Sequence, residues 1–196
     1  MDSLFVIGQD AVPGRFEALP GEPLRLTFVV LPGTSCAVET EILLARPGCE
    51  VDIAGLYLCD GDDRFSLKLN LRHDVGECRS RQLFKGMASG RSRALFDGRV
   101  YVGHGAQKTS ALQENHSLLL SADALVESRP QLEIYADDVE CSHGATVGSL
   151  DAQQQFYMQS RGIPREEAQR LQKISFLSPV LDRLPEALVN EVMACL

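Results

Sequence analysis

Large aromatic side chains are scarce in this chain of 196 residues. It contains no Trp, and aromatic residues make up only 6% of the total. Apolar volume must therefore come from Val, Leu, Ile and Ala, while 16 Gly and 9 Pro supply many turn-forming positions. This composition is typical of a sheet-rich fold with tight turns and not of an aromatic-lined enzyme pocket. With 44% hydrophobic residues the chain is also unlike a disordered polypeptide.

Long apolar runs and basic leader segments are also missing. The best apolar run, residues 26–31, is interrupted by Thr27 and stopped by Pro32, far short of the ~20 residues that span a bilayer. The N-terminus, MDSLFVIGQD, lacks the basic region of a signal peptide. A net charge of −8 disfavours nucleic acid and anionic membranes as partners. The six cysteines form no CxxC pair, so we expect buried thiols in a cytoplasmic protein.

Short β-prone runs separated by turn residues fill most of the chain from residue 24 to about residue 135. In the run FSLKLNL, Phe65, Leu67, Leu69 and Leu71 share one face while polar residues occupy the other. Turn signals recur every ~12 to 18 residues with no helical segment between them, a pattern typical of a β-sandwich or a β-solenoid. Periodicity alone does not separate these two folds, and no crisp hexapeptide or nonapeptide repeat is present.

The pattern changes after Gly148. Asp151 is a candidate N-cap for a helix that ends at Gly162, and Pro164 and Pro185 are placed to begin two further helices. The predicted apolar stripe of the second helix consists of Ala168, Leu171, Ile174 and Phe176. We therefore divide the chain into a lead-in (1–23), a β body (24–148) and a helical tail (149–196).

Charge is distributed in two successive bands along the β body. Residues 64–108 contain ten Lys or Arg against three acids, a net +7, and residues 109–151 contain eight acids against one Arg, a net −7. If successive segments stack as neighbours, these bands lie side by side. They indicate either salt bridges between adjacent segments or a polarised docking surface for a charged partner.

The segment DDVECSHG, residues 137–144, is the most chemically suggestive part of the sequence. In an extended conformation, Cys141 and His143 lie on the same face, with Asp137 in phase. A thiolate beside an imidazole can bind a soft or borderline metal, but two ligands make an incomplete site. The structural alternative is a buried Cys and a His satisfied by a neighbouring carboxylate, and a Cys/His nucleophilic pair is a further one. No P-loop, GxSxG, HExxH or Rossmann glycine pattern is present.

Longer stretches of the sequence resemble a known family. PQLEIYADDVECSHGATVG at residues 130–148, followed by FYMQSRGIPREEA at residues 156–168, looks like the signature of the SufB/SufD family of iron–sulfur cluster assembly proteins, and of its SufD branch in particular. The upstream stretch SRALFDGRVYVGHGAQKTSALQENHSLLLS, residues 92–121, is similar to the same family. The resemblance is dense from about His73 to Ala168.

This resemblance implies a mainly β protein, a right-handed parallel β-helix with a small C-terminal α-helical segment. It implies a non-catalytic scaffold that works with a SufC-type ABC ATPase and with a SufB-type partner or a second copy of itself. A transient iron–sulfur cluster would form at the dimer interface, with none expected in the isolated protein. His143 corresponds to the family's histidine implicated in cluster formation, and Cys141 lies beside it.

The resemblance also implies two interfaces. Residues implied at the dimer contact are Leu132, Ile134 and Tyr135. Residues implied at the docking site for the ATPase are Phe156, Tyr157, Arg161 and Ile163. The alternative for Phe156 and Tyr157 is a purely structural role, in which they attach the tail to the β body.

One departure from the family concerns length. Its members usually carry an N-terminal helical region and more β-helix turns, whereas this chain begins in strand-like sequence, as expected for a naturally short form or a fragment. Two other functions remain alternatives: a homodimeric structural β-helix without cluster chemistry, and a carbohydrate-active β-helix enzyme. The carboxylates that such an enzyme would use are Asp137, Asp138 and Glu140.

Overall fold

The computed structural model describes all 196 residues, in which eleven strands precede three helices. The strands are β1 (Asp2–Val6), β2 (Arg15–Glu17), β3 (Leu24–Val30), β4 (Cys36–Leu44), β5 (Glu50–Cys59), β6 (Arg64–His73), β7 (Arg79–Ala88), β8 (Arg93–Val102), β9 (Thr109–Leu119), β10 (Leu125–Ile134) and β11 (Val139–Gly148). The helices are α1 (Ala152–Ser160), α2 (Arg165–Leu181) and α3 (Glu186–Ala194).

The strands form two sheets in which every pairing between neighbours is parallel. The odd-numbered strands pair in the order β1-β3-β5-β7-β9-β11 and the even-numbered strands in the order β10-β8-β6-β4-β2; we call these the odd sheet and the even sheet. Each turn of the chain adds one strand to each sheet, which makes a β-solenoid of about five turns. A β-sandwich is built from antiparallel sheets. The parallel order therefore confirms the β-helix and excludes the sandwich.

Successive coils are stacked in register, although no repeat is visible in the sequence. Val51 lies opposite Ser80, Ser80 opposite Ala111, and Ala111 opposite Cys141, so each coil takes about 30 residues. The four members of this inward-facing column differ in size and polarity. A short sequence repeat is absent because the coil conserves the backbone path and the direction of each side chain, not the residue type.

The solenoid already includes the first residues of the chain. Strand β1 pairs with β3 from Asp2 opposite Arg25 to Val6 opposite Val29, and β2 pairs with β4. The segment 1–23, expected to be a lead-in, is therefore part of the β body. The sequence obscured this because β2 has only three residues and the turns around it are rich in Pro and Gly.

The three predicted helices are confirmed together with their start and stop signals. The Asp151 carboxylate accepts hydrogen bonds from the backbone N–H groups of Gln153 and Gln154, which satisfies two free donors of the first turn of α1. Gly162 follows α1 with φ of 87°, a conformation that favours glycine. Pro164 and Pro185 directly precede α2 and α3.

Helices α2 and α3 cover the outer face of the odd sheet. Buried helix residues in this second hydrophobic cluster are Leu177, Val180, Leu181, Leu188 and Val192, and the strand residues they pack with are Val29, Ala54, Leu56, Leu58, Leu83 and Met87. The predicted stripe on α2 was partly wrong, because Leu171 is 39% exposed. Only the C-terminal half of α2 reaches the apolar part of the sheet. None of the helices is long and apolar enough to cross a membrane.

Candidate functional site

Strand β11 carries the Cys141 and His143 motif at the end of the odd sheet. Cys141 lies opposite Ala111 and His143 opposite Gln113, both on β9. Cys141 is half-buried and packs against the interior cluster. Because side chains alternate along a strand, His143 shares this inner face, where it is exposed. The predicted pairing of the two side chains on one face is confirmed, whereas Asp137 precedes the strand and lies in an exposed bend.

The chemistry of Cys141 is set by its partial burial. Loss of solvent around the sulfur raises the pKa of the thiol, and a backbone hydrogen bond involving Ala111 opposes this rise. The raised pKa keeps the sulfur protonated at neutral pH, whereas metal binding requires a thiolate. A metal or a cationic partner would therefore have to displace the proton. No group of three or more His, Cys, Asp and Glu side chains in this chain is arranged to hold a metal ion.

The interior below His143 is polar, which the sequence did not predict. Gln82 on β7 and Gln113 on β9 lie in register, and Gln113 Nε2 donates to Gln82 Oε1 at 3.1 Å. Asn115 Nδ2 donates to the Ser128 hydroxyl at 2.8 Å across the interior. Gln82 Nε2, Gln113 Oε1 and Asn115 Oδ1 are all buried without a hydrogen-bond partner. Such unpartnered buried atoms are uncommon in native proteins.

Two more buried polar pairs extend this interior. The hydroxyls of Tyr57 and Ser117 are 2.6 Å apart, and burial raises the pKa of Tyr57 to about 12 despite the Ser117 hydrogen bond, which lowers it. His73 Nε2 lies 2.8 Å from Ser80 Oγ. Burial lowers the pKa of His73 to about 4, with Asp74 opposing the shift, so this imidazole is neutral at physiological pH. These groups lie in the interior, away from the exposed surface, and His73 Nδ1 is also buried without a partner.

The solenoid ends at β10 and β11 without a further coil to cover them. Each of these strands pairs on one side only, β10 with β8 and β11 with β9. We call this surface the open end: the inner faces of β10 and β11 with the corner at Tyr135. Leu132 packs partly against the interior, Ile134 is 41% exposed, and Tyr135 is 50% exposed beside the rings of Tyr101 and His104. The open end thus combines free strand edges with apolar surface.

The residues implied for ATPase docking lie on or next to α1. Phe156 is 75% exposed and Tyr157 is 60% exposed, with the Arg161 guanidinium over the Tyr157 ring at 5.4 Å. Ile163 is half-buried in the turn before α2. Helix α1 buries none of its own side chains. The exposure of Phe156 and Tyr157 gives no support to their alternative role in attaching the tail, and the side chains packed on the sheet come from α2 and α3.

Exposed ion pairs link adjacent coils on the outer face of the even sheet. Lys68 is 2.7 Å from Glu39, and Arg99 is 3.6 Å from Glu133. Gln131 donates to Asp97 at 2.9 Å. Some of the basic residues in segment 64–108 therefore form ion pairs with adjacent coils, which was one of the two interpretations of the charge pattern. Each exposed pair contributes only about 0–1 kcal/mol.

The three carboxylates considered for a carbohydrate-active enzyme do not converge. Asp137 and Asp138 are exposed in the turn before β11. Glu140 lies on β11 one residue before Cys141 and so faces the opposite side of the sheet from it. A glycosidase needs two carboxyl groups facing one bond. This arrangement gives no support to that alternative.

The fold and the site together define the class of this protein. The family model "SUF system FeS cluster assembly, SufBD core domain" matches residues 23–176. The match covers most of the solenoid, the Cys141 and His143 motif, and most of the first two helices. The chain therefore belongs to the SufBD family, and the resemblance predicted from its sequence is confirmed.

Within this family the chain is SufD-like. It is 46% identical over 125 residues to the iron-sulfur cluster assembly protein SufD of Escherichia coli, which covers 63% of this chain and 30% of that protein. It is 43% identical over 100 residues to SufD of Bacillus subtilis, covering 51% and 23%. It is 39% identical over 148 residues to the chloroplastic protein ABCI7 of Arabidopsis thaliana, covering 74% and 31%. The chain thus spans less than a third of the length of these relatives.

Proposed function

We propose that this chain is a SufD-like scaffold subunit of an iron–sulfur cluster assembly complex and is not itself an enzyme. The observation that carries the proposal is the position of His143, which is exposed on the inner face of the last coil beside Cys141. Membership of the SufBD family supports it. The transient cluster is the cargo of the complex, and a partner ATPase supplies the energy of nucleotide hydrolysis.

His143 and Cys141 would provide the ligands of this chain to the growing cluster. A neutral imidazole can bind iron directly, whereas the protonated Cys141 thiol must first lose its proton. Two ligands leave the coordination of iron incomplete, so the remaining ligands come from a chain that pairs at the open end.

The open end is the surface for pairing with a SufB-type partner or a second copy of this chain. Strands β10 and β11 each leave one edge unpaired. Free strand edges are ready to add a strand from another chain. The exposed Ile134 and Tyr135 side chains would be covered in the same contact. Both His143 and the apolar residues would then become buried between the two subunits.

Helix α1 and the turn after it form the docking surface for a SufC-type ABC ATPase. Phe156 and Tyr157 are large side chains that remain mostly exposed in this chain. Tyr and Arg are enriched among the residues that dominate the binding energy of interfaces. The Arg161 guanidinium lies over the Tyr157 ring, so one surface presents both residue types, and Ile163 follows two residues later in the chain.

Cluster formation tests the role of His143. The full chain is combined with a SufB-type partner and reconstituted anaerobically with iron and sulfide. We expect His143→Ala to lose most of the cluster-bound iron while keeping the same subunit pairing by light scattering. His116→Ala, which changes a histidine on the outer face of β9, is the control and should retain the iron. Equal iron in the parent protein and His143→Ala would refute the proposal.

ATPase docking is tested by changing the aromatic pair on α1. The double variant Phe156→Ser with Tyr157→Ser should weaken binding of a SufC-type ATPase at least about tenfold, since each large anchor typically contributes more than 1 kcal/mol. Leu19→Ser, at an exposed apolar residue far along the chain, is the control. Unchanged affinity in the double variant would place the docking surface elsewhere.

A homodimeric structural module is the second candidate, and the unpaired edges of the open end favour it equally. It predicts a dimer of the isolated chain that Ile134→Lys converts to a monomer. It also predicts negligible iron in both the parent protein and His143→Ala when a SufB-type partner is present. The iron measurement therefore separates the two functions.

A further inference from the structure

The buried glutamine pair lies in the same inward-facing column of residues as His143. Gln82 and Gln113 are fully buried, and the one hydrogen bond between them uses Gln113 Nε2 and Gln82 Oε1. Gln113 Oε1 is left buried and without a partner. The column to which both residues belong continues to His143, because Gln82 lies opposite Gln113 and Gln113 lies opposite His143.

The position of the Gln113 amide is restricted on two sides. On the side of β7 its nitrogen is bound to Gln82. On the even sheet it meets Gly98, where even a Cβ atom would come within 2.5 Å of Gln113 Nε2. The nitrogen is thus engaged, and the amide oxygen is the atom left free to accept a hydrogen bond from a residue of the next coil. Neighbouring strands are about 4.8 Å apart, which a histidine and a glutamine side chain can bridge.

We propose that Gln113 is a positioning residue for His143: when the exposed ring of His143 turns toward the interior, the free amide oxygen of Gln113 accepts a hydrogen bond from one ring N–H and thereby fixes the tautomer and orientation of the imidazole. The second ring nitrogen, unprotonated, then points out of the open end. Histidines that bind metals almost always donate their other N–H to such an acceptor. A neutral amide suits this buried position better than a carboxylate, whose charge would be costly to desolvate. The link to cluster binding rests on the proposed function.

Nitrogen NMR of the full chain tests the hydrogen bond without any metal. His143→Gln identifies the ring signals of His143 among the four histidines. At a pH where the ring is neutral, we expect one tautomer in the parent protein. Gln113→Met, which keeps the length of the side chain, should give the mixed tautomers of free histidine. Gln82→Met disturbs the same column one coil farther away and should leave His143 predominantly in one tautomer.

The same variants then separate this inference from the proposed function. In the reconstitution with a SufB-type partner, Gln113→Met should reduce iron binding about tenfold, a typical effect of removing a residue that orients a metal ligand, and Gln82→Met should reduce it less. If His143→Ala loses iron but the tautomer is mixed in the parent protein or unaffected by Gln113→Met, the positioning role is refuted while the proposed function stands. If the tautomer responds to Gln113→Met but His143→Ala keeps its iron, the proposed function fails alone.

Discussion

The two halves of the solenoid share one backbone architecture but differ in what they enclose. In the N-terminal coils, from β1 to β6, the inward residues are almost all apolar, with Leu26, Phe28, Ile53 and Leu69 nearly inaccessible to solvent. In the C-terminal coils, from β7 to β11, the odd sheet instead turns a run of polar side chains inward. In both halves the backbone path of each coil is held by the parallel pairing of its strands. The interior side chains can therefore be apolar in the N-terminal coils and polar in the C-terminal coils without a change in the backbone fold.

Small residues allow the C-terminal coils to hold these polar groups. Gly86 lies opposite Tyr57, and a Cβ atom at Gly86 would overlap the Tyr57 ring. Gly98 leaves space for the ring of Phe96 and for the amide of Gln113 in the same way. In each case the missing side chain of a glycine makes room for a large or polar side chain close to it. The polar interior is thus closely packed around the groups that it pairs.

The largest expected effect is in the apolar half. Phe28 is buried and stacks on Phe5 with ring centroids 5.7 Å apart. Phe28→Ala should lower the free energy of unfolding by about 4 kcal/mol, because it removes a buried ring and leaves a cavity. Asn115→Ala in the polar half should cost about 1–3 kcal/mol, from the lost partner of Ser128. Urea denaturation measures both, and equal costs would remove the energetic contrast between the halves.

The pH dependence of the free energy of unfolding tests the role of His73, which ends β6 where the two halves meet. Its folded pKa of about 4 lies below the ordinary value of 6.5, so the unfolded chain binds the proton more readily. The contribution of His73 is therefore present above pH 6.5 and is lost as the pH falls from about 6.5 to about 4, on the order of 3 kcal/mol in total. His73→Leu should flatten this part of the stability profile. Parallel profiles for the two proteins would contradict it.

Overpacking sharpens the comparison within the C-terminal coils. Gly98→Ala should cost about 2 kcal/mol, since the added methyl meets the Phe96 ring and the engaged Gln113 amide. Gly14→Ala is the control, because nothing lies within 4 Å of the added Cβ. Thermal or urea unfolding of the two variants gives the difference. A Gly98→Ala variant as stable as the control would show that the polar interior can accommodate an added methyl group.

The smallest expected loss of stability comes from separating the hydroxyls of Tyr57 on β5 and Ser117 on β9, one from each half. Tyr57→Phe should cost about 1 kcal/mol, since it leaves the buried Ser117 hydroxyl without its partner 2.6 Å away. Ser117→Ala should cost a similar amount. The double variant should cost less than the sum, because both members of the pair are then gone. Additive costs would show that the two hydroxyls do not interact.

The apolar half was easier to predict from sequence than the polar half, for a physical reason. FSLKLNL alternates cleanly, so β6 and its inward face follow directly from the sequence. In TSALQENHSLL both faces mix polar and apolar residues, with Gln113 buried and Leu112 only half-buried. Alternation there does not say which face is inside. The sequence pattern also could not distinguish a sandwich from a solenoid, because side chains alternate with a period of two in both parallel and antiparallel strands.

The candidate site was predicted where it depended on local spacing and missed where it depended on other coils. Cys141 and His143 share a face because they are two residues apart on one strand. Gln113 comes beneath His143 only through the stacking of coils, which no local spacing reveals. Asp137 was placed in phase on the assumption of an extended segment, whereas the chain bends before Val139.

The attachment of α1 sets how this part of the molecule moves. The helix buries no side chain, and amide hydrogen bonds join it to α2, from Gln155 to Gln172 at 3.2 Å and from Gln172 to Gln154 at 3.1 Å. Exchanging such bonds for water costs little free energy, so α1 can open locally while the strand ladders stay closed. Its amide hydrogens will exchange with solvent long before those of the central strands, so a partner bound at Phe156 would hold a helix that can move relative to the solenoid.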